Sequence, residues 1–416
     1  MLELGRTVPL YAVAPFALLL LGIAVLPLLV PHAWEKNWVK AILAATLSVP
    51  IVVFLLGAYP EGLVHTAHEY LSFVLLLGAL FVVAGGIHVG GDIQGTPGRN
   101  VLQLAIGAVL ASAIGTTGAS MVLVRLLLRT NHQRKHVGHI PLFFILVVSN
   151  CGGLLTPLGD PPLFLGFLRG VPFTWTLRLT PVWLLANAYL LLAFWIVDRR
   201  AHAREAQADL ARDERERVPV RIDGAINVLF LGGIVAAVFT PTPIRELMML
   251  GCALASVFLG PKAPRRANGF TYGPIAEVAI LFGGIFVTMV PALALLEARG
   301  AELGLTQPWQ FFLATGGLSS VLDNAPTYLT FLSAAQALHV GNEVVGMSHV
   351  LLEAISAGAV LMGANTYIGN GPNFMVKAIA DESGFRTPSF FGYALRATLV
   401  LAPVYILLTL WFALSG

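Results

Sequence analysis

Ser319-Ser320-Val321-Leu322-Asp323-Asn324-Ala325-Pro326-Thr327 lies in the middle of an otherwise apolar stretch, residues 308–338. A carboxylate, an amide and a proline at that place cannot continue a helix. Interrupted backbone at membrane depth leaves N–H and C=O groups without helical partners, and it survives only where protein or a polar cavity covers it. The stretch therefore reads as a re-entrant hairpin of two half-helices with Asp323 at its tip. Residues 100–130 carry a similar break, Ile114-Gly115-Thr116-Thr117-Gly118, and read as a second hairpin. Two longer stretches, 140–168 and 346–380, are interrupted by Asn150-Cys151-Gly152-Gly153 with Pro157-Leu158-Gly159-Asp160-Pro161-Pro162, and by Gly363-Ala364-Asn365-Thr366-Tyr367-Ile368-Gly369-Asn370-Gly371-Pro372-Asn373. These read as full crossings broken in the middle.

The rest of the chain places these breaks in a membrane. Of 416 residues 57% are hydrophobic and 11% charged, with a mean hydropathy of +0.80. Soluble domains carry about 25% charged residues, so the spare apolar surface faces lipid. That excludes a soluble enzyme, a secreted disulfide scaffold and a disordered protein. With 25 Lys+Arg against 22 Asp+Glu and no basic stripe, it also excludes nucleic-acid binding. Cys151 and Cys252 sit in separate apolar segments and read as small buried residues. The start, Met1 to Arg6, lacks a basic n-region and cleavage site, so the first apolar run is expected to be retained. A span needs about 20 apolar residues, and runs at 9–30, 37–57, 70–90, 174–197, 224–240, 244–261, 275–297 and 391–414 qualify.

The expected fold is an all-α polytopic membrane protein with about ten crossings and two re-entrant hairpins. Loops on one side hold 20 of the 25 Lys+Arg, and the other side holds Arg6, Arg169, Arg178, Arg245 and Arg299. By the positive-inside rule the richer side is cytoplasmic and both termini face outward. Val83-Ala84-Gly85-Gly86-Ile87 and Phe282-Gly283-Gly284-Ile285 each precede a hairpin and a broken helix, five crossings apart, which implies two inverted repeats. The organisation follows: scaffold helices over 1–69, repeat 1 over 70–197, a cytoplasmic linker over 198–223, connecting helices over 224–274 and repeat 2 over 275–416. The linker carries seven Arg and seven acidic residues, and His202–Gln207 reads as a surface helix within it.

Polar groups inside spans are costly and mark function. Asp323 and Asn324 could replace the hydration shell of Na⁺, or Asp323 could take a proton instead. Asp323 could also serve only as a helix N-cap. Ser112, Thr116 and Thr117 stand at the other tip, as ligands or as helix-end partners. Asn150 reads as a ligand near the midplane, and as a third Na⁺ ligand with Asp323 and Asn324. Asp160 reads as a cap or as a proton carrier. Asn365 and Thr366 take the place in the second broken helix that Asn150 takes in the first, with Asn370 and Asn373 in the helix restart beyond. Glu277 could relay protons or anchor at the interface, and Glu353 is a weaker candidate. His88 and Asp92 read as interfacial, and His132, His136 and His139 as solvated. No Walker A run, HExxH or GxSxG is present, so no enzyme chemistry and no cofactor is expected; Na⁺ and H⁺ are transported or coupling ions.

Ser319–Pro326, together with Asn150-Cys151-Gly152-Gly153-Leu154-Leu155-Thr156-Pro157-Leu158-Gly159-Asp160, resembles the ion transporter superfamily over roughly residues 70–414. That group includes NhaD-type sodium/proton antiporters, ArsB-type arsenite permeases, and divalent-anion/sodium and citrate transporters. The resemblance implies a homodimer with scaffold and moving parts working by an elevator-like motion. It implies that Ser319, Asp323, Asn324, Asn150 and Asp160 are cation or proton ligands. The antiporters carry an Asp-Asn pair in the first hairpin too, where this chain has Thr116-Thr117. The first expectation is a sodium/proton antiporter of a bacterial inner membrane. The second is a Na⁺- or H⁺-coupled transporter of citrate or another small carboxylate, held by half-helix N-termini; arsenite export is the third. A channel would conduct independently of Asp323.

Overall fold

The structure is a computed structural model that describes residues 2–207, 214–215, 218–339 and 341–415. It is a helical bundle whose first part comprises α1 (Leu2–Thr7), α2 (Ala14–Leu29), α3 (Asn37–Ala58) and α4 (Pro60–Gly85). The first hairpin is α5 (Pro97–Ile114) and α6 (Thr116–Thr130). A broken pair follows, α7 (His139–Val147) and α8 (Pro161–Leu168), then α9 (Thr180–His202). After the linker come α10 (Ile226–Val238), α11 (Ile244–Leu259) and α12 (Gly273–Arg299). The second hairpin is α13 (Pro308–Ser319) and α14 (Asn324–Gln336), the second broken pair α15 (His349–Met362) and α16 (Gly371–Glu382), and α17 (Phe390–Ser415) ends the chain. Among the described residues, six helical segments are long and apolar enough to cross a membrane. Their number, length and apolar character are those of an integral multi-pass membrane protein.

The hairpins and breaks fall where the sequence places them, for local reasons. Gly115 alone separates α5 from α6, at φ +82°, a conformation that L side chains rarely adopt. Both broken helices restart at a polar N-cap with proline in the first turn: Asp160 before Pro161-Pro162, and Asn370 before Gly371-Pro372. Proline is preset for that position and lacks only an N–H that has no helical partner there. The expected span at 70–90 instead runs from Pro60 to Gly85, because Pro60 starts a helix before the apolar run begins.

The glycine match does not hold in space. Gly85 ends α4, whereas Gly283 lies well inside α12. A different correspondence appears in the hydrogen bonds. Thr116 N–H donates to Gly159 O (2.8 Å) and Asn324 N–H to Gly369 O (3.2 Å). The Thr156 hydroxyl donates to Ser112 O, and the Thr366 hydroxyl to Ser320 O. The Ser112 hydroxyl donates to Gly152 O (2.5 Å) and that of Ser320 to Met362 O (3.1 Å). Each hairpin tip is stitched to its own break by the same three bonds.

Helices α4 and α12 form the frame against which these units pack: α6 lies on α4, and α14 lies on α12. Phe73 of α4 stacks on Phe282 of α12 at 4.8 Å between ring centres. A small antiparallel ribbon, absent from the all-α expectation, pairs β1 (His88–Gly90) with β2 (Arg221–Asp223).

The linker also departs from the sequence reading. Asp198 belongs to α9 and is fully buried, and Glu205 is buried rather than on a surface helix. Of the linker, residues 208–213 and 216–217 lie outside the described residues. Asp198 accepts from Arg134 (2.6 Å), His139 (2.9 Å) and Asn100 (2.9 Å), while Glu205 accepts the backbone N–H groups of Lys135 and His136. His139 is therefore a half-buried partner of Asp198, not a solvated residue. Removing one member of a buried ion pair strands the other and costs about 3–5 kcal/mol. Asp198→Ala is expected to lose stability on that scale, read by thermal unfolding of the detergent-solubilised protein.

Candidate functional site

Four helices begin at one junction: α6 at Thr116, α8 after Asp160, α14 after Asp323, and α16 after Asn370. Each turns the positive end of its dipole toward it. The side chain at the centre is Asp160, only 1% exposed. Its Oδ1 accepts from the Thr116 hydroxyl (3.0 Å) and from Asn370 Nδ2 (2.9 Å), and its Oδ2 accepts from Asn324 Nδ2 (2.6 Å). One carboxylate in the first break thus takes a bond from the first tip, the second tip and the second break.

A chain of amides extends the junction. Asn370 Nδ2 also approaches Asn150 Oδ1 (3.2 Å), and Asn150 Nδ2 donates to Asn373 Oδ1 (2.7 Å) and Ile145 O (2.8 Å). Asn373 Nδ2 spans the second break, donating to Gly363 O (2.9 Å) and Thr366 O (2.8 Å). All of these amides are buried. Asn324 Oδ1 is buried and accepts no hydrogen bond. A buried carbonyl oxygen without a donor is a free acceptor beside the Asp160 carboxylate.

The hydrogen bonds converge on Asp160 rather than on Asp323. Asp323 is half-buried and caps α14, its Oδ1 accepting Ala325 N–H at 3.0 Å. It neighbours the junction through Asn324. Thr117 is half-buried in the first turn of α6, next to Thr116. Ser319 donates to Ala359 O (2.6 Å), within its own half. Asn365 bonds to Ser320 Oγ (2.9 Å) and to the Tyr405 hydroxyl (2.9 Å), and Thr366 supports the tip of the second hairpin. Glu277 pairs with the buried Lys40 at 2.8 Å, in the frame and not at the junction. Glu353 pairs with Arg178 at 3.1 Å, and His88 contacts Asn268 at 2.8 Å.

Asn370 is the member that reasoning from the sequence passed over in favour of Asn365 and Thr366. The signal was present: Thr156-Pro157-Leu158-Gly159-Asp160-Pro161-Pro162 and Thr366-Tyr367-Ile368-Gly369-Asn370-Gly371-Pro372 share the pattern T-x-x-G-[DN]-x-P. Asn365 corresponds to Leu155 in that pattern, not to Asn150.

The junction is all acid, amide and hydroxyl. Among the residues hydrogen-bonded at it, none is lysine or arginine. Such a set can hold a proton or a cation on carboxylate and carbonyl oxygens, and an anion on amide N–H groups and helix N-termini.

Two comparisons bear on this arrangement. The family CitMHS_2, described as "Putative citrate transport", matches residues 5–413. The chain is also similar to the "46 kDa membrane protein" of Mycobacterium leprae (strain TN), with 24% identity over 335 residues, 76% of either chain.

Proposed function

The chain belongs to the CitMHS_2 citrate-transport family of membrane transporters, and from that premise we propose that it moves a small carboxylate of the citrate class, coupled to a proton or Na⁺ at Asp160. The observation that carries this reading is the single carboxylate bonded to all three of the other interrupted segments. A group that joins every moving tip is the group whose charge decides whether they stay joined. In this reading Asp160 and Asp323 hold the coupling ion, with Asn324 Oδ1 as a further oxygen ligand. Asn370, Asn150 and the hydroxyls of Thr116 and Thr117 face the anion, whose charge the four helix N-termini offset. The tips and breaks form two inverted repeats, with binding at the meeting point of their discontinuous helices. The units then move against α4 and α12 as an elevator within a homodimer, with both termini outward in a bacterial inner membrane.

Sodium/proton exchange at the same place is the second reading. It is favoured by one observation, the lack of any basic side chain among the residues bonded at the junction. The deciding experiment is uptake of radiolabelled citrate into proteoliposomes under an imposed pH or Na⁺ gradient. Dequenching of a pH dye is followed in parallel without citrate. Gradient-driven citrate accumulation supports the first reading. Na⁺-dependent dequenching with no citrate movement supports the second, and silence in both sinks the two together.

The same assay separates the two asparagines. Losing a hydrogen bond to a charged acceptor costs about 1.5–3 kcal/mol. Asn370→Ala is therefore expected to lower uptake about ten- to a hundredfold, and Asn365→Ala much less. Equal effects would return Asn365 to the site.

A further inference from the structure

Helix α8 has Asp160 at its start and Arg169 at its end. Its eight residues, Pro161–Leu168, make a rod about 12 Å long at 1.5 Å per residue. At the far end Arg169 forms a two-pronged ion pair with Glu69 of α4: Nε to Oε1 at 2.8 Å and Nη2 to Oε2 at 3.0 Å. Glu69 is 6% exposed, and His65, one turn earlier on α4, approaches its Oε1 at 3.2 Å. One turn later on α4, Ser72 donates to Glu246 of α11 (2.6 Å), which also holds Arg245 (2.7 Å). The Arg245 guanidinium lies 5.9 Å from the centre of the Phe167 ring of α8. The end of α8 is thus gripped by α4 through an ion pair and by α11 through a cation–π contact, while its start carries the central carboxylate.

We infer that Arg169 and Glu69 form a latch that sets the position of Asp160 through α8, making Arg169 a positioning residue for transport. The inference rests on the transporter reading of the Asp160 junction. A short rigid helix held at one end leaves the other only a pivot about that end, at a fixed distance of about 12 Å. Release of Asp160 by its partners therefore loads the ion pair, and opening of the ion pair frees Asp160 to move. Two nitrogens of Arg169 meet the two oxygens of Glu69, Nη2 through a hydrogen bond and Nε through a close ion-pair contact; lysine keeps the charge but offers one nitrogen for the two oxygens.

The test uses the full chain in proteoliposomes. Glu69→Gln and Arg169→Gln are each expected to change the apparent KM for citrate about fivefold, in the same direction. The double variant is expected to match either single one, because both remove one interaction. Arg169→Lys is expected to recover the effect only in part. Additive effects in the double variant, or none in the singles, would overturn the latch. A second measurement needs no transported substrate. Cysteines replacing Glu69 and Arg169, in a Cys252→Ala background, are joined by a short, reducible bis-methanethiosulfonate reagent. Adding Asp160→Asn is expected to slow that cross-linking about threefold or more. An unchanged rate would show that the two ends of α8 are uncoupled. If wild type moves no citrate while cross-linking still responds to Asp160→Asn, the substrate reading fails and the latch stands.

Discussion

Asp160→Asn is expected to abolish gradient-driven uptake, with a loss of about a hundredfold or more, while the protein still inserts and folds. The native carboxylate accepts from Thr116, Asn370 and Asn324. An amide at the same place keeps one oxygen and turns an NH₂ group toward donors. At least one of the three bonds is lost, and each is worth about 1.5–3 kcal/mol because the acceptor is charged. The amide also cannot take up or release a proton, so the charge at the junction no longer follows the gradient. Asp160→Glu is expected to fail as well, since an added methylene has no room in a site 1% exposed. Uptake by Asp160→Asn within a few-fold of wild type would remove Asp160 from the coupling mechanism.

Gly159→Ala is expected to be the most damaging small change at the two breaks. A Cβ there would stand 2.0 Å from Gly153 O and 2.7 Å from Gly153 C, both backbone atoms. Neither can yield without breaking the bond from Thr116 N–H to Gly159 O and moving Asp160 itself. Overpacking in a filled core costs about 1–3 kcal/mol, and a backbone-to-backbone collision lies at or beyond the upper end. The expected result is a clear fall in thermal stability in detergent together with loss of uptake. Gly369→Ala places a Cβ 2.5 Å from Gly363 O and is expected to act in the same way. Gly317→Ala, with nothing within 4 Å, is the control and should change stability by no more than about 0.5 kcal/mol. Equal tolerance of all three would mean that the breaks are looser than their close approach implies.

The contrast between what could and could not be read from the sequence has a physical basis. The hairpins and breaks were legible because glycine, proline and polar caps interrupt apolar runs, and such interruptions act locally. Gly115 and the Asp160-Pro161-Pro162 restart are decided by their own backbone. Partnership is not local. Asp160 meets Asn370 across 210 positions and Asn324 across 164, and no single stretch holds that information. The paired T-x-x-G-[DN]-x-P pattern carries it only once the two breaks are aligned, and the more conspicuous glycine pair pointed to a different alignment. Burial of charge was the other blind spot. Asp198 and Glu205 sit in a strongly hydrophilic stretch, yet Arg134, His139 and two backbone N–H groups draw them inside.

Both ends of the charged linker are fastened to the first half of the chain, Glu205 to Lys135 and His136, and β2 to β1. The polypeptide leaves that half only at Gly224, where the backbone comes so close to Gly86 that a Cβ would lie 2.1 Å from its carbonyl oxygen. The link between Gln207 and Val218 therefore starts and ends on residues held by the first half. Cut there, the protein would be two complementary polypeptides, the second bringing its own strand to complete a ribbon on the first. A tag or a whole domain spliced into that stretch would ride on the first half as cargo and leave the junction at Asp160 undisturbed.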